Sequence, residues 1–169
     1  MSGNAGENVV SLEKYEMLRA KLADYLLLQV NTFIAGAGES AIGPAMELLT
    51  EKSAEMKVVE ARRNGQGSGM PAADALSKNL AVSMGETFNS DYKAESTESS
   101  RSVILDRCGC IESVLKTAET YDMTRAKAKS IFCGACMSGY RKAASTLGLE
   151  FKGRLSESGC AMSFVVKQV

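Results

Sequence analysis

Four cysteines arranged in two tight pairs are the feature that most constrains this chain. Cys108 and Cys110 form a C-x-C pair in "DRCGCIESVLK", and Cys133 and Cys136 form a C-x-x-C pair in "SIFCGACMSGYRK". The chain contains no histidine, so it cannot build a mixed cysteine and histidine site. If both pairs share one centre, the fold must pack the segment around the first pair against the segment around the second.

Length and composition are those of one globular domain. An apolar fraction of 45% is ordinary, and 169 residues can bury a core without disulfides. Lysine plus arginine and aspartate plus glutamate both number 20, a balance that gives no support to nucleic-acid binding. We find neither a membrane-spanning apolar run nor a signal peptide, and therefore expect a cytoplasmic protein without membrane insertion. In that reducing compartment the cysteines are expected to be thiols, metal ligands or catalytic groups.

The N-terminal region, residues 11–84, is predicted to be helical, after a disordered tail over residues 1–10. Apolar residues at helical spacing predict a long amphipathic first helix, from Leu12 to about Ala35. The apolar positions of this helix are Leu12, Tyr15, Leu18, Leu22, Leu26 and Phe33.

Two shorter helices complete the N-terminal region. Pro44 suits the first turn of a second helix over about 44–61. A third helix is predicted over about 72–82. Between them lies the glycine-rich loop 64–71, which is either a lid or a connector.

The cysteine-bearing region, residues 85–169, is predicted to mix strands and helices. Two antiparallel strands around a polar turn are indicated by the segment "SVIL" and by Thr87, Phe88 and Tyr92. Helices are predicted after Cys110 and over 124–146, and a closing hairpin follows with its turn in "GRLSESG". We therefore expect a single α+β domain with its helices packed on one face of an antiparallel sheet.

The spacing of the cysteine pairs indicates what they bind. Cys133 and Cys136 lie at i and i+3 of a predicted helix, which places both sulfur atoms on one face. Cys108 and Cys110 lie where a strand meets a helix, and there the helix dipole is expected to lower thiol pKa values. A four-sulfur site suits zinc or an iron–sulfur cluster. Because one pair is C-x-C and the other is embedded in a helix, we favour a 4Fe–4S cluster over zinc.

Other roles for the thiols stay open. Free cysteines are often buried as small apolar residues that fill a core. Cys160 lies on the strand face that carries Met162 and Phe164, so it is either core filler or a thiol facing a pocket. In a pocket it could replace one of the four paired cysteines as a ligand. Hydrolysis would need a base other than histidine, for which the candidates are Asp106 and Asp122; the alternative for each is a turn or surface position, which we favour.

A second pattern covers the C-terminal part of the chain. It begins with a strand ending in "RC", here Arg107–Cys108, followed by a helix and then by a second helix that carries a cysteine, here Cys133. It ends with a hairpin in which glycine precedes cysteine and phenylalanine follows, here Gly159–Cys160 and Phe164 in "CAMSF". In this pattern residues 100–168 resemble the L-2-amino-thiazoline-4-carboxylic acid hydrolase-like family, which is distantly related to vinyl-reductase-like small-ligand domains. The resemblance implies a cysteine-lined pocket, ring-opening hydrolysis of a thiazoline, and Cys108, Cys133 and Cys160 as active-site candidates. Cys110 and Cys136 are additions to this pattern.

The overall character of the chain is also similar to cysteine-rich accessory proteins of anaerobic archaea. Some of these associate with corrinoid-dependent methyl-transfer complexes of methanogenesis. We therefore expect a metal-binding regulatory protein that responds to redox state or oxygen and docks on a larger enzyme. Its expected ligands are Cys108, Cys110, Cys133 and Cys136. One alternative is a cysteine-dependent hydrolase of a small cyclic amide or thiazoline, and another is a small-ligand sensor without chemistry. Whether the N-terminal helices mediate self-association stays open.

Overall fold

Three α-helices are followed by two strands, and two further α-helices by two further strands. A computed structural model describes residues 5–167, with side chains described from Glu13 onward. The α-helices are α1 (Ala5–Ala37), α2 (Ile42–Arg63), α3 (Gly69–Leu80), α4 (Gly109–Thr117) and α5 (Arg125–Thr146). The strands are β1 (Asp91–Ser96), β2 (Ser100–Arg107), β3 (Leu149–Leu155) and β4 (Cys160–Val166). Short 3₁₀-helices cover Glu39–Ala41 and Ala118–Tyr121, and a π-helix covers Ala81–Glu86.

The four strands form one antiparallel sheet in the order β1-β2-β4-β3. Along the central strands β2 and β4, buried side chains alternate with partly exposed ones, as a sheet with one covered face requires. Val103 and Leu105 of β2 are buried on the same face as Met162 and Phe164 of β4. Helices α3 and α5 pack on this face, which confirms the predicted single α+β domain.

The core is centred where α5 crosses the sheet. Tyr140 of α5 is 2% exposed, and its ring lies 5.9 Å from that of Phe164, centroid to centroid. Its hydroxyl donates a hydrogen bond of 2.7 Å to Oδ1 of Asn79 in α3. This bond satisfies the polar end of an otherwise apolar side chain, so α3, α5 and the sheet are fixed against one another.

Most predicted elements are confirmed, but two boundaries in the cysteine-bearing region and one in the N-terminal region are wrong. β1 begins at Asp91, so Thr87 and Phe88 precede the strand. β3 continues to Leu155, which leaves a turn shorter than "GRLSESG". The third helix begins inside the predicted loop, at Gly69, and after Leu80 continues as the π-helix. Each error lies at the end of an element, where local sequence preference is weakest.

The side of α1 that packs against the rest of the protein is not the apolar stripe that the sequence predicts. Ala23 and Leu27 are buried, whereas the predicted stripe residues Tyr15, Leu18, Leu22 and Phe33 are exposed. The helix starts at Ala5, and residues 1–4 of the predicted tail and the side chain of Leu12 lie outside what is described. Within the described residues, no helix is both long and apolar enough to cross a membrane.

Two glycines allow backbone segments to touch beside the β2–α4 junction. A Cβ on Gly109 would overlap the carbonyl oxygen of Phe88, and a Cβ on Gly159 would overlap that of Leu105. Backbone atoms cannot rotate away as side chains can, so only glycine fits at these two positions.

We expect Gly159→Ala to lower the free energy of unfolding by about 1–3 kcal/mol, because the added methyl group overpacks a backbone contact. Gly134→Ala is the matched control, since its Cβ would meet nothing within 4 Å in α5. This variant is expected to gain about 0.5–1 kcal/mol from helix propensity. Urea denaturation measures both values, and two variants of equal stability would contradict the contact at Gly159.

Candidate functional site

All five cysteines line one cavity, whose volume is about 40 Å³. The paired cysteines reach it from the start of α4 and from α5, and Cys160 reaches it from the start of β4. The rest of the wall is apolar and consists of Met84, Leu105, Ile111, Phe132, Gly159 and Met162. None of these side chains carries nitrogen or oxygen, so sulfur is the only donor atom that side chains offer to an occupant.

The first cysteine pair is positioned by backbone hydrogen bonds at the β2–α4 junction. Cys108 is the N-cap residue of α4, and its N–H donates a 2.8 Å hydrogen bond to the carbonyl of Ser158. The next N–H, that of Gly109, donates a 2.9 Å hydrogen bond to Oγ of Ser90. These bonds tie the start of α4 to the β3–β4 turn and to the segment before β1.

The second pair occupies the middle of α5, with both cysteines directed toward the same cavity, as their i and i+3 spacing predicts. One helical turn earlier, Nζ of Lys129 donates hydrogen bonds to the carbonyls of Ser156 and Glu157, at 2.7 and 2.5 Å. This contact holds α5 against the β3–β4 turn, directly before the cysteine of β4.

The pKa of Cys110 is shifted in the direction opposite to the prediction. Burial raises the pKa of the Cys110, Cys136 and Cys160 thiols to about 12, and that of Cys133 to about 11, with a smaller contribution from the neighbouring thiols. The expectation that the helix dipole lowers thiol pKa values at the first pair is therefore wrong for Cys110. Loss of hydration in an apolar cavity disfavours the charged thiolate, and this raises the pKa.

Two lysines, Lys57 and Lys129, lie near the second pair, and sequence reasoning did not identify Lys57. The positive charge of Lys57 acts to lower the pKa of Cys136, and that of Lys129 acts to lower the pKa of Cys133, against the larger effect of burial. Nζ of Lys57 donates a 2.6 Å hydrogen bond to Oγ of Ser53 and lies 4.7 Å from the centre of the Tyr140 ring. Nothing in the sequence around Lys57 sets it apart from other helix-surface lysines.

The two acids nominated as bases do not reach the cavity. Asp106 is exposed and forms a 2.9 Å ion pair with Lys93. Asp122 follows the second 3₁₀-helix in the left-handed conformation, with φ of 52°, and is exposed as well. The described cavity wall therefore contains neither a carboxylate nor an imidazole that could act as a general base.

The thiols share a cavity without surrounding a common point. Among residues 5–167, no group of three or more histidine, cysteine, aspartate or glutamate side chains has an arrangement that would hold a metal ion. A metal bound here would therefore require the cysteine side chains to turn inward from the conformation described.

No family model matches the chain, and no curated protein or solved structure matches it either. The resemblance to the thiazoline hydrolase-like family and the likeness to archaeal accessory proteins stay predictions. They rest on the sequence features given above.

We expect the thiols of Cys110, Cys133, Cys136 and Cys160 in the metal-free protein to react slowly with iodoacetamide at pH 8. A pKa about 3 units above that of a free cysteine lowers the thiolate fraction roughly a thousandfold, and only the thiolate reacts. The rate should rise with pH, and Cys133, whose pKa is about 11, should react before Cys110, Cys136 and Cys160.

Peptide mass spectrometry after timed labelling measures each cysteine separately. Protein unfolded in guanidinium is the control, because its thiols regain ordinary acidity. Equal labelling rates in folded and unfolded protein would show that the folded thiols are not shielded.

Proposed function

We propose that this chain is a metal-binding accessory or regulatory protein whose metal centre is held by Cys108, Cys110, Cys133 and Cys136. One observation carries the proposal: five thiols from three parts of the fold line a single cavity, and the other described side chains of its wall offer no nitrogen or oxygen donor. Thiolate ligands select zinc, copper(I) and iron–sulfur clusters over magnesium or calcium. Leucine or valine would fill the same volume without a reactive sulfur atom, so packing alone does not require five cysteines in one wall.

The size of the cavity bears on which centre it holds. A volume of about 40 Å³ accommodates a single ion or a water-sized group. A 4Fe–4S cluster, favoured by the sequence, is larger and would need the wall to move outward. Met84 and Met162 lie in that wall, and methionine side chains adapt readily to an occupant of different shape. Zinc therefore needs the smaller change in structure, and an iron–sulfur cluster needs the larger one.

The surrounding charges suit a negatively charged thiolate centre. Metal binding displaces protons from thiols, and the electrostatic influence of Lys57 and Lys129 favours the resulting thiolates. A redox-active cluster in this cavity would change its charge on oxidation within a low-dielectric surrounding. Such a change supplies a physical route to a redox-responsive or oxygen-responsive switch.

The cavity chemistry argues against the hydrolase alternative. A cysteine nucleophile needs a lowered pKa or an adjacent base. Here burial raises the pKa of Cys160 to about 12, and the cavity wall contains no base among its described side chains. The wall can shelter a bound group, but it has no residue that would activate a thiol for attack on a thiazoline.

We expect protein purified without oxygen to contain metal, and Cys133→Ser/Cys136→Ser to lose most of it, because two of its four ligands are then removed. Cys160→Ser is the matched control, since it changes the same cavity wall without removing a proposed ligand, and it should keep most of its metal. Elemental analysis for iron, zinc and sulfide measures the content. Iron accompanied by sulfide identifies a cluster, and zinc without sulfide identifies a single-ion site.

Two results would overturn this proposal. The first is full metal content in a variant with all four proposed ligands replaced by serine. The second is metal-free protein that opens a thiazoline ring and loses this activity when Cys108 or Cys160 is alkylated. That second result would assign the cavity to the hydrolase instead.

A further inference from the structure

The wall of the cysteine cavity contains a second kind of sulfur atom besides the five thiols. Met84 of the π-helix and Met162 of β4 both line the cavity, and Met162 is buried. The other wall residues have hydrocarbon side chains or none: Leu105, Ile111, Phe132 and Gly159. The described side chains therefore offer an occupant thiols and thioethers, and neither nitrogen nor oxygen.

The thioethers distinguish between metals that the thiols alone do not separate. Thiolates bind zinc, copper(I) and iron–sulfur clusters. The protein ligands of zinc are thiolate, imidazole and carboxylate groups, and iron–sulfur clusters are held by thiolates. Copper, in contrast, takes the thioether of methionine as a ligand beside cysteine. Two methionines in the same wall as the cysteines therefore favour copper(I).

The arrangement of the thiols suits a metal ion of low coordination number. In the part of the chain that the structure describes, no three histidine, cysteine, aspartate or glutamate side chains are arranged to hold a metal ion together. A tetrahedral zinc site needs four ligands around one point. Copper(I) has a filled d shell and is held stably by two or three sulfur atoms, so fewer side chains have to turn. The cavity volume of about 40 Å³ suits one such ion.

One of the five thiols is fixed in place more firmly than the rest. Cys108 is buried, whereas the other four cysteines are half-buried. Its backbone N–H is tied to the carbonyl of Ser158, and the N–H of the next residue is tied to Ser90. Cys108 is therefore the ligand that the backbone presents, and the thiols of α5 are the ones that turn toward it.

A copper(I) centre also places less charge in the cavity than zinc does. Copper(I) with two thiolates carries one negative charge, whereas Zn²⁺ with four thiolates carries two. The cost of removing an ion from water rises with the square of its charge, and this wall is apolar. The positive charges of Lys57 and Lys129, near the α5 pair, offset what remains. Each thiol that binds releases its proton to solvent, and no electron is transferred.

We propose that the metal of this cavity is copper(I), bound by Cys108, by a thiolate of the Cys133 and Cys136 pair and by a thioether of Met84 or Met162. This assignment rests on the proposed metal centre. It adds the identity of the metal and a ligand that is not cysteine.

The test uses the reduced full chain, loaded without oxygen with copper(I) or with Zn²⁺. Competition with bicinchoninate measures the copper(I) affinity, and competition with a chromophoric zinc chelator measures the zinc affinity. Met84→Leu/Met162→Leu should lower the copper(I) affinity at least about tenfold, as loss of a group at a metal site does, and leave the zinc affinity unchanged. X-ray absorption of the copper-loaded chain should show two or three sulfur neighbours and neither nitrogen nor oxygen.

Met137→Leu is the matched control. Met137 is buried in α5 next to Cys136 but lies outside the described cavity wall. Leucine has nearly the volume of methionine, so all these variants should keep the fold. The control should change neither affinity.

The possible failures of this proposal are distinguishable. Equal copper(I) affinity in the native chain and in Met84→Leu/Met162→Leu would remove the thioether ligand and overturn the assignment. Zinc or an iron–sulfur cluster in protein purified without oxygen would overturn copper(I) and leave the proposed metal centre in place. A reduced chain that binds neither copper(I) nor zinc and contains no iron would overturn both.

Discussion

The contact between the end of β2 and the start of β4 is the constraint on which the cysteine cavity depends. Gly159 lies against the carbonyl of Leu105, and Leu105 in turn pairs with Cys160 across the two strands. Immediately beyond this contact, the N–H of Cys108 donates to the carbonyl of Ser158. One short stretch of backbone contact therefore positions two of the thiols, and α5 then closes over them with the other pair.

Burial dominates the acidity of four of the five thiols. It raises the pKa of Cys110, Cys133, Cys136 and Cys160 and so keeps these thiols neutral in the absence of an occupant. A soft cation changes that balance, because bonds to sulfur replace the hydration that the thiolates have lost. Nucleophilic attack and metal binding both use the thiolate, but a bound metal ion displaces the thiol proton itself, whereas a cysteine nucleophile needs a lowered pKa or an adjacent base.

Local patterns in the sequence predicted most of the fold. Helical spacing located α1, α2 and α5, and the i and i+3 relation of Cys133 and Cys136 predicted their shared direction. The apolar periodicity of α1 identified an apolar side but not what covers it, because a core and a docking surface share the same spacing. The place of Met84 in the cavity wall was not predictable either, since it depends on the π-helix.

Ser90 links two sides of the cysteine cavity that are distant from each other in the sequence. Its hydroxyl donates to the carbonyl of Met84 in the π-helix and accepts from the N–H of Gly109 at the start of α4. The wall formed by Met84 and the segment that carries the first cysteine pair are therefore mechanically coupled. Any expansion of the cavity displaces both segments together or breaks a hydrogen bond of Ser90, so the volume open to an occupant is a collective property of the fold rather than of one rotamer.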